Sequence, residues 1–141
     1  MRPSRFLLFL IVAMGVLLWM ACSNSDNPVA PPAGPPTVPD TVSFREHVQP
    51  IFTARCAVSG CHVEPTPKAG LVLTTHVAYS NIVNVPTQVF TPGLRVKPSD
   101  PDSSVLYILV QRGLMPGRGP QLTAVQTSTI KRWIVQGALN N

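Results

Sequence analysis

The chain has 141 residues, a formal net charge of +5, 45% apolar residues and 12% charged ones. That leaves room for one small domain and little more. The basic residues are scattered, with no charge run, no acidic tail and no aromatic residues interleaved with them in one element, which argues against a nucleic-acid partner.

The first segment, 1–21, reads as an export signal. Arg2 and Arg5 give it a positive start, and Phe6 to Met20 is an apolar run of signal length, short of the roughly twenty residues that span a bilayer. It ends in Leu-Trp-Met-Ala-Cys, Leu18 to Cys22. This resembles a bacterial lipoprotein signal, in which a small residue (here Ala21) precedes a cysteine that is lipidated and becomes the mature N-terminus. On that reading Cys22 carries the lipid and the protein is an extracytoplasmic, membrane-anchored lipoprotein of the periplasm or cell surface. Two of the three cysteines then remain as a pair. The alternatives are a plain cleaved signal and an uncleaved anchor.

Residues 22–42 are rich in Pro, with Ser, Asn and Asp and almost no large apolar side chain. Such a stretch cannot bury enough surface to fold alone, and its prolines favour an extended, semi-rigid course. It reads as a disordered tether between the lipid and a domain over 43–141.

The domain begins with Ser43 and Glu46 at capping-box spacing, and Val48, Ile51 and Phe52 then share one helical face. Pro50 either kinks this helix or begins it, since it has no N–H to give to the preceding turn. Both options place a helix directly before Cys-Ala-Val-Ser-Gly-Cys-His, Cys56 to His62. Two thiols followed at once by an imidazole form the arrangement that attaches c-type haem: each sulfur bonds the porphyrin through a vinyl group, and the histidine ligates the iron. The common motif has two residues between the cysteines, and here there are four. Ala57, Ser59 and Gly60 are small, which lets the longer loop bulge without striking the porphyrin. In an oxidising compartment the same thiols can instead form a Cys56–Cys61 disulfide, with His62 incidental. Zinc on Cys56, Cys61 and His62 would need a fourth ligand.

After His62, Val63 to Gly70 is a loop by its Pro and Gly content. A short helix is predicted at Val77–Val83, and Asn84 to Asp100 is mostly loop around Pro86, Pro92, Gly93 and Pro98. A further helix takes Asp100 as its cap, Pro101 as its first residue and Asp102 in its first turn. Val105, Leu106, Ile108, Leu109 and Val110 make it strongly apolar, and Arg112 and Gly113 close it. Leu114 to Leu122, which holds Met115, Pro116 and Gly117, cannot continue a helix. Thr123 and Gln126 form a second capping box, Val125, Ile130, Trp133 and Ile134 a buried stripe, and Gly137 an end. The whole predicts an all-α domain of three to four helices with long Pro/Gly-rich loops.

In this order the parts resemble a small class I-type cytochrome c domain, and more closely the cytochrome c-like domains of planctomycete and related bacterial secreted proteins. The matching stretches are Phe44 to Phe52, the Cys56–His62 motif, Gly70 to Leu73, Pro98 to Tyr107, Met115-Pro116 and Arg132 to Ala138. They span nearly all of the domain and none of the leader or tether. The resemblance implies a cytochrome c-like fold around one covalent haem c, with Cys56 and Cys61 as thioether anchors, His62 as the proximal iron ligand and Met115 as the distal one. A thioether ligand suits an electron-transfer iron and raises its potential. Met115 also sits in a Pro/Gly loop, not on the apolar stripe where most methionines fill gaps. His76 and His47 are the rivals for the distal position, against a surface or capping role for the first and a solvated one for the second. The implied function is single-haem electron transfer between redox partner proteins by a monomer with no catalytic residue. Arg95 and Lys97 are candidates to face the haem propionates or a partner, against ordinary surface charge. Two alternatives stand beside this: a haem-free secreted interaction module with a cytochrome-like fold and a Cys56–Cys61 disulfide, and a peroxidase-type haem enzyme, for which no acid/base cluster is evident.

Overall fold

A computed structural model describes residues 37–90 and 92–141, so the export signal, Cys22 and most of the tether lie outside the described residues. Phe44–Val48 form one π-helical turn that runs directly into helix α1, Gln49–Arg55. Ser43 caps the turn, its Oγ accepting from the Glu46 N–H at 3.2 Å. The other half of the predicted capping box comes from a different residue: the Ser43 N–H donates to His47 Nδ1 at 2.9 Å. The wider π turn brings the side chain four positions on, not three, back over the cap. Pro50 falls in the first turn of α1, where its missing N–H removes no bond the helix needs. Of the two options the second holds: the α-helix starts one residue before Pro50, and the π turn joins it to the Ser43 cap.

Helix α2, Ala78–Ile82, lies within the stretch predicted for it. The next helix starts later than predicted. Asp100 does act as a cap, its Oδ1 accepting from the Ser103 N–H at 3.0 Å, but what it caps is a single 3-10 turn over Pro101–Ser103. Helix α3 is Val105–Gln111. Ser104 separates the two in extended conformation. Its buried hydroxyl accepts from the Lys97 N–H at 2.9 Å and donates to the Asp100 carbonyl at 2.8 Å, which holds the backbone out of helical register. Helix α4, Ala124–Val135, has the predicted capping box in both directions, with bonds of 3.2 and 2.9 Å between Thr123 and Gln126.

The described domain is thus all-helical. Among the described residues there is no strand, only isolated bridges pairing Val83 with Val96, Pro86 with Leu94, and Leu94 with Ser104. These bind the 83–96 loop into a narrow hairpin and hold it to the start of α3.

The core forms where α4 meets the first turn. Ile130, Trp133 and Ile134 are fully buried, and Thr129 joins them by returning its hydroxyl to the Val125 carbonyl, whereas Val125 is only half-buried. The Phe44 ring lies 5.2 Å from Trp133, 5.3 Å from Tyr79 and 6.1 Å from Phe52, tilted or edge-on in each case. Such offset geometry suits the ring quadrupoles. The polar ends of two of these rings are satisfied by the closing segment: Trp133 Nε1 donates to the Leu139 carbonyl and Tyr79 OH to that of Ala138.

Pro39 to Val42, read from the sequence as the end of the tether, lie against α4. Val42 is buried, its N–H donates to Gln136 Oε1 at 2.9 Å, and Arg132 Nη1 donates to the Pro39 carbonyl at 2.9 Å. For the site, the useful outcome is simple. The C-terminal end of α1 delivers Cys56, and the C-terminal end of α3 delivers Met115.

Candidate cofactor-binding site

Cys56 is the C-cap of α1, its N–H donating to the Phe52 carbonyl at 2.8 Å. The four residues between the cysteines turn the chain back on itself. The Cys61 N–H donates to the Val58 carbonyl at 2.9 Å, and the His62 N–H to the Cys56 carbonyl at 3.1 Å. Gly60 takes a left-handed φ of 76° in this turn with open space around it, a conformation that glycine adopts without strain. The longer spacing is therefore absorbed by a closed turn, and Cys61 and His62 return to the side of Cys56.

All three side chains line one cavity of about 480 Å³, within the usual range for a small-molecule site. Met115 lines it as well. Its loop leaves α3 through hydrogen bonds from the Leu114 and Met115 N–H groups to the Leu109 carbonyl. The structure thus gathers the four residues singled out in the folded domain into one space. It does not bring either rival there: His47 is occupied as a cap, and His76 is exposed and lines no part of the cavity.

His62 is half-buried and its Nδ1 lies 3.2 Å from the Leu71 carbonyl. Burial, with help from the nearby Arg95 and Lys68 charges, lowers the imidazole pKa more than the backbone contacts to Leu71 and Lys68 raise it, so the ring is neutral at pH 7. A neutral ring that donates from Nδ1 keeps the lone pair of Nε2 for a ligand. Cys56 and Cys61 are free thiols, and burial pushes the Cys56 thiol up to about 11. Among the described residues no group of three His, Cys, Asp or Glu side chains is placed to hold a metal ion by itself.

The rest of the wall is apolar, with Phe52, Leu71, Leu73, Val105, Leu106, Leu109, Val110 and Ile130 contributing. Its charges have one sign. Arg55, Lys68, Arg95 and Arg118 line the cavity, and among the described residues no acidic one does. Arg95 is only 9% exposed, with Nη1 donating to the Asn81 carbonyl at 2.8 Å and Nη2 to the Ala69 carbonyl at 3.1 Å. Burial lowers its pKa, yet a guanidinium stays charged. Arg55 keeps a buried Nε–H without a partner. Lys97, paired with Arg95 in the sequence reading, has a different fate: it is exposed and forms an ion pair with Asp100 at 2.8 Å. Such a wall fits an apolar guest that carries anionic groups.

Sequence reasoning missed two parts of the site. One is the hairpin tip Thr87 to Phe90, where the buried Thr87 hydroxyl accepts from the Val89 and Phe90 N–H groups and all four residues reach the cavity. The other is Gln49, which sits just outside the cavity. No protein-family model, curated protein or solved structure matches the chain.

Proposed function

We propose that this chain is an extracytoplasmic c-type cytochrome of cytochrome c-like fold, a single-haem electron carrier. The observation that carries the reading is the gathering of Cys56, Cys61, His62 and Met115 around one apolar cavity. The residues present fit the group. Cys56 and Cys61 would form the thioether bonds, the neutral His62 imidazole with its Nδ1 engaged would ligate the iron through Nε2, and the Met115 thioether would be a second iron ligand. The uniformly cationic charges of the wall and the unpartnered Arg55 Nε–H complement the carboxylates that such a group bears.

When bound, haem c supplies a one-electron iron couple, and His/Met ligation places that couple at the higher end of the range. The chain's own residues supply the rest. Phe52, Leu109 and Ile130 give the cavity apolar wall, and the Leu71 carbonyl holds His62 Nδ1. Val58, Val89, Phe90 and Leu114 are exposed apolar residues on the loops at its rim, with Lys68 and Arg118 among them. That rim is where redox partner proteins would dock. Lipid on Cys22 would hold the carrier at a membrane, and the protein would act as a monomer.

The test is export in a host competent for cytochrome c maturation, followed by denaturation, haem staining and intact mass. The reading expects a stain that survives denaturation and a mass increased by one haem, both lost in Cys56→Ala and Cys61→Ala. A colourless product whose mass is reduced by two hydrogens would overturn it and establish a Cys56–Cys61 disulfide instead.

A further inference from the structure

Leu71 leaves the 3-10 turn of Lys68–Gly70 in extended conformation, and every carbonyl from Ala69 to Leu73 accepts a side-chain hydrogen bond. Arg95 Nη2 donates to Ala69 O at 3.1 Å and Gly70 O at 3.4 Å, and His62 Nδ1 bonds Leu71 O at 3.2 Å. Asn81 Nδ2 donates to Val72 O at 3.1 Å, and Gln49 Nε2 to Leu73 O at 3.0 Å. Five consecutive acceptors are thus served by side chains from four other places in the sequence. The segment is also tied to the histidine through its backbone, since the Leu73 N–H donates to the His62 carbonyl at 2.9 Å.

Gln49 marks this strap as specified. The residue is 4% exposed, and its Nε2 serves both Leu73 O and Thr53 Oγ1. Its Oε1 is buried with no partner. An orphaned acceptor in the interior is unfavourable, and an apolar side chain of similar size would avoid it. What the glutamine offers that such a side chain cannot is the N–H that holds Leu73 O. Asn81 does the same one residue earlier. Together they secure the two carbonyls that follow Leu71.

We propose that Gln49 and Asn81 are positioning residues for His62: through the strap they hold the Leu71 carbonyl against Nδ1, which keeps the ring proton on that nitrogen and leaves Nε2 free. The hydrogen-bond part stands on the geometry alone, and its effect on an iron rests on the haem reading above. There, a ring that loses its Nδ1 acceptor becomes a weaker donor to the metal.

The experiment follows exchange of the His62 Nδ1–H with solvent by 15N-edited NMR, in the full chain as isolated. Gln49→Leu is expected to speed exchange at least tenfold in a chain that still unfolds cooperatively. Thr53→Val, which removes only the other partner of Gln49, is expected to leave exchange unchanged. Asn81→Ala reports the same property by a second route, should Gln49→Leu disturb folding. In haem-loaded protein Gln49→Leu is expected to raise the reduction potential. Unchanged exchange in Gln49→Leu and Asn81→Ala would overturn the proposal whether or not haem is bound. Faster exchange in a chain that carries no haem would uphold the strap's hold on His62 while removing the electron carrier.

Discussion

Arg55 Nη2 donates to the Gln121 carbonyl at 3.2 Å and also to that of Pro120. The residue beside Cys56 thereby restrains the loop that carries Met115, and the two halves of the candidate site are joined by one guanidinium. Hydrogen bonds to charged groups contribute about 1.5–3 kcal/mol. Arg55→Gln is expected to free the loop, and trypsin should cut after Arg118 about tenfold faster or more. Equal cleavage rates would show that the loop is held by other contacts.

Met115 should matter to the potential and not to attachment. On the proposed haem reading, Met115→Ala is expected to retain covalent haem, since neither thiol is touched, and to lower the reduction potential by removal of the proposed thioether ligand. Redox titration of the two proteins checks this. An identical potential would remove Met115 from the axial position.

The Cys56 thiol gives a pH dependence with a definite sign. Burial is the main cause of its raised pKa, with the nearby Arg55 charge partly opposing. In haem-free, reduced protein its alkylation should accelerate well past pH 9 and level off only near 11. The folded chain keeps this proton over a range where the unfolded chain has released it. The resulting stability is complete below the unfolded value of 9.0 and is lost as pH rises towards about 11. Unfolding midpoints measured from pH 8 to 11 should fall accordingly.

Trp133 is fully buried at the centre of the aromatic cluster. Trp133→Ala is expected to cost about 3–5 kcal/mol, a large share of a small domain's stability. Thr123→Ala, which removes the oxygen that caps α4, should cost about 1 kcal/mol. Denaturant unfolding of the two variants should preserve that order.

The helices were legible because their signals are local. Thr123 with Gln126, and Asp100 with Ser103, specify their turns through side chains only three positions away. The errors arose where another group competes for the same backbone. Ser104 looks like helix from its neighbours and is drawn out of it by Lys97. Glu46 has the right spacing for a cap, but the π turn gives the place to His47. Of the site, the Cys56–His62 motif and Met115 could be picked out by residue type. Gln49 and Asn81 could not, because an amide that serves a carbonyl far along the chain leaves no periodic mark. Arg95 was legible as a candidate cation, but its burial beside the fully buried Val96 was not.

The lacing of the first described residues to the last helix has a mechanical side. Pro39, Asp40 and Val42 are fastened to Arg132 and Gln136, and Ser43 to Arg45 are fastened to Asn141. If residues 22–36 form the proposed tether, tension along it would enter at Val38 and fall first on this seam, none of whose hydrogen-bonded residues lines the cavity.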